Sequence, residues 1–224
     1  MAVTEITATK FQDMIRVAAH RINKNAEFVN SLNVFPVPDG DTGTNMNLTF
    51  QTGAKAVLES NEDAVGALAK RLGKGLLMGA RGNSGVISSQ LFRGFAKSVE
   101  GKKNLSAQDL ADAFAHGVET AYKAVMKPVE GTILTVAREA AKAGLKAANG
   151  SDDALVVMTA VVKGAKRALA KTPDLLAVLK EVGVVDSGGQ GLVFIYEGFR
   201  EGLSGEISSD VHDVTDEEMT EMIN

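Results

Sequence analysis

Two aspartates separated by one glycine stand in the densest stretch of the chain, Asn33-Val34-Phe35-Pro36-Val37-Pro38-Asp39-Gly40-Asp41-Thr42-Gly43-Thr44-Asn45-Met46-Asn47. Carboxylates two residues apart can turn their oxygens toward one hard cation while the glycine takes the tight turn. Mg²⁺ suits such a pair, because it keeps octahedral oxygen ligands and commonly takes one or two carboxylates plus substrate phosphates. Asn33 could add a carbonyl oxygen from before the two prolines, which stiffen the approach. The order Asp-Gly-Asp, with no Glu at loop position 12, excludes an EF-hand. The competing reading is a plain turn and helix cap, since Asp-Gly is common in turns.

Three further glycine-rich stretches follow: GARGNSG at 79–85, VEGT at 129–132 and DSGGQG at 186–191. Each directly precedes a predicted helix. A helix N-terminus presents unpaired N–H groups and a partial positive charge, and glycine lets a ligand approach the backbone. Four such starts could converge on one phosphate-bearing ligand; the alternative is that each glycine is a turn or cap. The segment 79–85 is neither a Walker loop nor a GxGxxG fingerprint, and Ser84 lacks the GxSxG context of a nucleophile. Met126 ends a predicted helix beside a glycine-bearing loop, where it could touch a base ring. With only three histidines, His20, His116 and His212, a His-based zinc site is not expected.

The elements that must position these groups read as helices. Phe11, Ile15, Ala18 and Ile22 form one apolar stripe, and Met46, Phe50, Ala54 and Val57 a second. Further helices are expected near 62–78, 83–98, 106–126, 131–148, 152–171, 173–182 and 188–204. Ser106 with Asp109 predicts a capping arrangement, and Pro173 is placed at the first position of its helix. Strand alternation is scarce. The expectation is an all-α domain over 1–204, followed by an acidic tail or linker at 205–224.

Composition narrows the function. The chain has 224 residues, 24 Lys+Arg against 28 Asp+Glu, and no cysteine. Thiol catalysis, Cys-ligated metals and disulfide scaffolds are therefore excluded. Residues 205–224 carry seven acidic residues and no Lys or Arg, which leaves 24 basic and 21 acidic residues in 1–204, a net charge near +3. That is no nucleic-acid footprint, and an aromatic content of 5% offers few stacking platforms. No apolar run is long enough to span a bilayer and no signal-peptide core opens the chain, so a cytoplasmic protein is expected.

The segments NVFPVPDGDTGTNMNLT, GARGNSGVISSQLFRGF, KPVEGTILTV and DSGGQGLVFIYEGF together resemble the N-terminal nucleotide-binding domain of the fatty acid kinases. That domain belongs to the family of the ADP-binding subunit L of dihydroxyacetone kinase. The resemblance covers about residues 7–204. It implies an antiparallel barrel of about eight amphipathic helices, with ATP or ADP and two Mg²⁺ ions at one end. It implies transfer of the γ-phosphate to the carboxylate of a fatty acid held by a separate fatty-acid-binding carrier protein, with further C-terminal domains beyond this chain. By the same resemblance Asp39 and Asp41 match the metal-binding carboxylates. Asn33 stands near the family's third aspartate, with one extra residue in the spacing. Thr42, Gly43, Thr44 and Asn45 fall in the stretch that contacts phosphate and metal, and Gly82, Asn83, Ser84 and Gly85 in the loop over the phosphates. Thr132 matches a threonine near the adenosine, Met126 lies beside it, and Asp186, Ser187, Gly188 and Gly189 match the loop closing the pocket. Two other readings stay open: an ADP-binding dihydroxyacetone kinase subunit, and a non-catalytic helical interaction module.

Overall fold

Apolar stripes at helical spacing must be covered, and this chain covers them by closing its helices on one another. The computed structural model describes residues 1–223, and ten helices lie within them: α1 (Ala8–Ser31), α2 (Thr42–Leu58), α3 (Val65–Gly79), α4 (Gly82–Ser98), α5 (Ala107–Ala124), α6 (Ile133–Gly150), α7 (Ala154–Leu175), α8 (Ala177–Val182), α9 (Ser187–Ser204) and α10 (Asp216–Ile223). Extended pairing among the described residues is confined to one bridge between Ile6 and Leu105. Each of the first seven helices packs on the next, α7 packs on α9, and α9 on α1, so eight long helices form a closed ring. This is the barrel expected from the sequence. Short connections make ring neighbours antiparallel, which brings the N-termini of α2, α4, α6 and α9 to one end.

The ring is shut where α9 lies on α1. Gly198 and Gly202 present no side chain there; a Cβ at Gly202 would lie 2.6 Å from the Met14 Cα. The interior is filled by Phe11, Phe50, Phe92, Phe95, Phe114, Tyr196 and Phe199, whose neighbouring ring centroids stand 5.1–6.5 Å apart. Such tilted and edge-on pairs suit the aromatic quadrupole. Most of these rings sit two to four turns into their helices, on the order of 12–20 Å below the end where α2, α4 and α9 begin. A packed aromatic plug thus closes the barrel beneath that end. No helix among the described residues is long and apolar enough to cross a membrane.

Two sequence expectations change. Pro173 does not open a helix: it lies in the last turn of α7. Proline cannot donate to the carbonyl four residues back, here that of Leu169, and the Thr172 hydroxyl donates to that oxygen instead at 2.7 Å. The helix therefore runs on to Leu175, and α8 follows as a separate short piece. The acidic stretch after 204 is solvated, with no residue of 205–223 buried, but it is not a free linker: it folds back over α1 and α2. Asp213 pairs with Arg16 at 2.7 Å, Asp210 with His20 at 3.3 Å, and Asp216 with Lys55. Thr215 and Glu218 cap α10 reciprocally. Cations on α1 and α2 supply the partners that the tail's own sequence lacks.

Candidate functional site

The chain enters α2 through a loop that one side chain braces. Asn33 is only 7% exposed. Its Nδ2 donates to the Val37 carbonyl at 3.1 Å, while Oδ1 accepts the N–H groups of Asp41 and Thr42, each at 3.1 Å. It thereby satisfies two amides at a helix start that the Asp41 side chain leaves uncapped. This revises the expectation that Asn33 is a cation ligand, because both lone pairs of Oδ1 are committed to backbone donors. Asp39 and Asp41 flank Gly40 in the braced loop. The close approach of the Asp39 carboxyl, then burial and the charge of Asp39, pushes Asp41 above the usual carboxylate range, while the Asn45 carboxamide works the other way.

Opposite them α4 begins at Gly82, whose φ of +67° favours glycine. No side chain caps this helix, and the preceding Arg81 N–H donates to Thr49 Oγ1 at 3.1 Å. At the start of α6, Thr132 Oγ1 donates to the Val129 carbonyl at 2.7 Å and accepts from the Leu134 N–H at 3.4 Å. At the start of α9, Asp186 is 4% exposed. Its N–H donates to Thr172 Oγ1 at 3.0 Å and its Oδ2 accepts the Gly189 N–H at 2.8 Å. Burial pushes this carboxyl up to about 6, although backbone hydrogen bonds from Gly189 and Ile133 oppose the shift. Asp186 thus caps the N-terminus of α9 and anchors it to Thr172 in the last turn of α7.

These starts surround two adjoining cavities. The smaller, 170 Å³, is lined by Asn33, Asp39, Asp41, Thr42, Asn45 and Gly82 among others. The larger, 220 Å³, takes in Thr132, Asp186, Ser187 and Gly188. Pro36, Asn83 and Ser84 line both, so the two share a wall formed by the start of α4 and the α1–α2 loop. The first is polar and acidic. The second is walled mainly by Phe35, Ile87, Val125, Val129 and Leu134, with Lys127 as its cation. The convergence of four helix starts expected from the glycine-rich stretches is therefore found.

Several lining residues were not singled out in the sequence. Phe35 and Pro36 lie inside the Asn33–Asp41 stretch, and Lys127 directly precedes the third glycine-bearing loop, so position alone could have flagged them. Glu130 sits within the VEGT stretch itself but lines neither cavity. It fixes the α5–α6 loop by accepting hydrogen bonds from Tyr122 Oη at 3.1 Å, Thr135 Oγ1 at 2.9 Å and Arg138 Nη1 at 2.5 Å. Burial works against the charged form of Glu130, yet these donors outweigh it and hold the carboxyl below its usual range.

Other expected site residues stand outside both cavities. Gly43 faces α1, where a Cβ would overlap the Ala26 carbonyl oxygen. Thr44 exchanges hydrogen bonds with Asn30 at 3.0 Å. A Cβ at Gly85 would meet Thr49 Oγ1 at 2.5 Å, and one at Gly189 would meet Val136 Cγ2 at 2.8 Å. These glycines let helices approach each other. Gly188 does line the larger cavity, but it also accommodates Ser84, whose Oγ would lie 2.7 Å from a Cβ. Met126 is 96% exposed and points away from the pocket beside which it was expected.

Residues 36–201, which run from the braced loop to the end of the ring, match the DAK2 domain. The chain belongs to the DAK2 domain family. This DAK2 domain is 55% identical over 204 residues to an uncharacterized protein of Staphylococcus haemolyticus and 58% identical over 204 residues to one of Staphylococcus epidermidis. Each alignment takes in 91% of this chain and 37% of the relative, so the chain spans little more than a third of those relatives' length. Its fold is similar to that of the dihydroxyacetone kinase of C. freundii, with a TM-score of 0.61 and 18% identity over 85% of this chain and 34% of that one. The helical fold expected from the four motif segments is found, and the DAK2 match gives the family without singling out the fatty acid kinases.

Proposed function

We propose that this DAK2 domain binds ATP with Mg²⁺ in the paired cavities and transfers the γ-phosphoryl group to the carboxylate of a fatty acid presented by a carrier protein. The observation that carries the reading is the meeting of four helix N-termini with the Asp39–Asp41 pair. In this reading the larger, apolar cavity takes the adenosine side and the acidic cavity the phosphate end.

The donor set fits the metal. Asp39 opposes the ionisation of Asp41, which a divalent cation between the two carboxylates would relieve, and the groups around them offer oxygen. Among the described residues no group of three or more His, Asp and Glu could hold a metal, so the nucleotide's phosphates would complete the ligand set of Asp39 and Asp41. When bound, Mg²⁺ supplies neutralisation of the triphosphate charge. The chain's own residues do the positioning: the uncapped start of α4 turns its amides toward the phosphates, and Lys127 adds a cation at the larger cavity. Phosphoryl transfer asks for positioning and charge neutralisation more than covalent help.

A carboxylate acceptor suits a site without histidine. A carboxylate is ionised at neutral pH, with a reference pKa of about 4, and needs no general base. None of the three histidines lines either cavity. A hydroxyl acceptor would have to find its base on the partner. The fold shared with the dihydroxyacetone kinase keeps a second reading in view, a domain that holds ADP as a bound cofactor for such a partner.

Thermal denaturation with ATP or ADP, in Mg²⁺ or in EDTA, tests the site on the wild type and on Asp39→Ala. Nucleotide at about 100 times its dissociation constant adds roughly 2.7 kcal/mol, a rise of about 5–10 °C for a domain of this size. The expected rise needs both Mg²⁺ and Asp39; no rise with any nucleotide overturns the proposal and leaves a helical interaction module. ATP consumption that requires a fatty-acid-loaded carrier supports the carboxylate acceptor. ADP retained through purification and re-phosphorylated by a phosphotransferase protein selects the second reading.

A further inference from the structure

On its outer face the molecule carries a groove that the paired cavities do not use. Lys70, Lys74 and Leu77 recur every three or four residues along α3, and Arg93 and Lys97 stand four apart on α4, so each set shares one helix face; Glu100 follows in the turn after α4. Between these faces lies a groove of 310 Å³, larger than either cavity at the end of the ring. Its floor is built from Gly66, Gly73 and Ala96, and Leu77 stands 58% exposed at one end. Val86, one turn before Gln90 on α4, is also exposed and extends the apolar line. Four cations thus face one carboxylate. Among the described residues none of the four lies in an ion pair, whereas Arg16, Arg21, Lys55, Arg71, Arg138 and Lys166 all do.

We propose that this groove docks an acidic amphipathic helix of a protein partner. The apolar side of such a helix would cover Leu77 and the small-residue floor, while its carboxylates would meet Lys70, Lys74, Arg93 and Lys97 along both walls. From Gly66 to Leu77 the groove runs roughly 16 Å along α3, the length of about three helical turns. A small anion needs one or two of these cations and would leave the apolar floor bare. A lipid surface is flat, and these cations line the two sides of a concavity. An unpaired cationic rim around apolar surface is a pattern of protein–protein recognition, and its charges set rate, register and salt dependence.

The probe is a fluorescein-labelled synthetic helix with leucine at i, i+3, i+4 and i+7 and glutamate elsewhere, read by anisotropy on the full chain. A scrambled peptide of the same composition and phosphatidylglycerol vesicles run beside it. The amphipathic peptide is expected to bind, to weaken as NaCl rises from about 50 to about 500 mM, and to bind at least about tenfold more weakly to Lys74→Glu/Arg93→Glu. The milder pair Lys70→Gln/Lys97→Gln should move affinity in the same direction, and unchanged melting temperatures exclude unfolding as the cause. Scrambled peptide binding as well as the ordered one, affinity indifferent to charge reversal, or vesicles binding where the peptide does not, each overturns the proposal.

Discussion

Asn33 holds the backbone of Asp41: its Oδ1 accepts the Asp41 N–H at 3.1 Å across eight residues of chain. The same oxygen takes the Thr42 N–H, and the amide end of the side chain ties down Val37. One buried carboxamide therefore sets where the Asp39–Asp41 pair sits. Asn33→Ala should cost about 1–3 kcal/mol, because three backbone groups lose their partner. It should also weaken Mg²⁺–nucleotide binding by roughly tenfold, while circular dichroism shows the helices intact. Asn33→Asp keeps the acceptor and loses the donor, so it should fall between Ala and wild type. A metal-dependent shift unchanged in Asn33→Ala would show that the loop holds its shape without the brace.

Gly43 distinguishes packing from ligand contact. Its missing side chain faces the Ala26 carbonyl on α1, not either cavity. Gly43→Ala should lower stability of the ligand-free protein by about 1–3 kcal/mol as α2 is pushed off α1. The nucleotide-induced rise in melting temperature should survive on top of that loss. Unchanged ligand-free stability with the rise abolished would return Gly43 to the ligand.

Asp186 makes stability depend on pH. Its carboxyl titrates at about 6 when folded, against 3.8 for an ordinary aspartate. Below about pH 4 it is protonated in both the folded and the unfolded chain, and burial adds no charge cost. As pH rises from about 4 to about 6 the unfolded chain ionises first, so wild-type stability should fall relative to Asp186→Asn, by about 3 kcal/mol at the plateau. Urea unfolding of both proteins at several pH values reads the difference. Two parallel curves would mean that the carboxyl keeps its ordinary titration in the fold.

Removing residues 205–224 takes away the pairs of Asp210, Asp213 and Asp216 with His20, Arg16 and Lys55. These acidic partners are half exposed or more, so the pairs are weak and are screened by salt. The shortened chain should melt a few degrees lower at low ionic strength and level with the full chain at about 0.5 M NaCl. A deficit that persists at high salt would assign the attachment to contacts other than these charges, such as that of Met222 Sδ with Asn47 Nδ2 at 3.8 Å.

Local signals reached far into this molecule. The stripe Phe11, Ile15, Ala18 and Ile22, the cap Ser106–Asp109 and the glycine-rich helix starts are all one-dimensional patterns, and each marks an element that forms. What one dimension does not hold is which surface meets which. Gly43, Gly85 and Gly189 look like Gly82 in sequence, yet they face neighbouring helices while Gly82 lines the acidic cavity. Met126 stands next to Val125 and Lys127, which line the larger cavity, but its own side chain turns to solvent. Pro173 reads as a helix start because the hydroxyl of Thr172, which relieves the carbonyl of Leu169, makes no pattern at all. The acidic tail looks unpartnered because its cations lie far back in the chain, on α1 and α2.

The closure of the ring by α1 and α9 has a consequence during synthesis. The first helix leaves the ribosome well before α9, the helix that covers it, so the apolar face of Phe11, Ile15, Ala18 and Ile22 stays half covered until residue 204 has been made. The wall of the larger cavity contributed by Asp186, Ser187 and Gly188 arrives on that same final segment. A nascent chain therefore completes its sheltered interior and its pocket in one late step, and a ribosome that stalls before residue 187 leaves a sticky seven-helix arc that holds nothing.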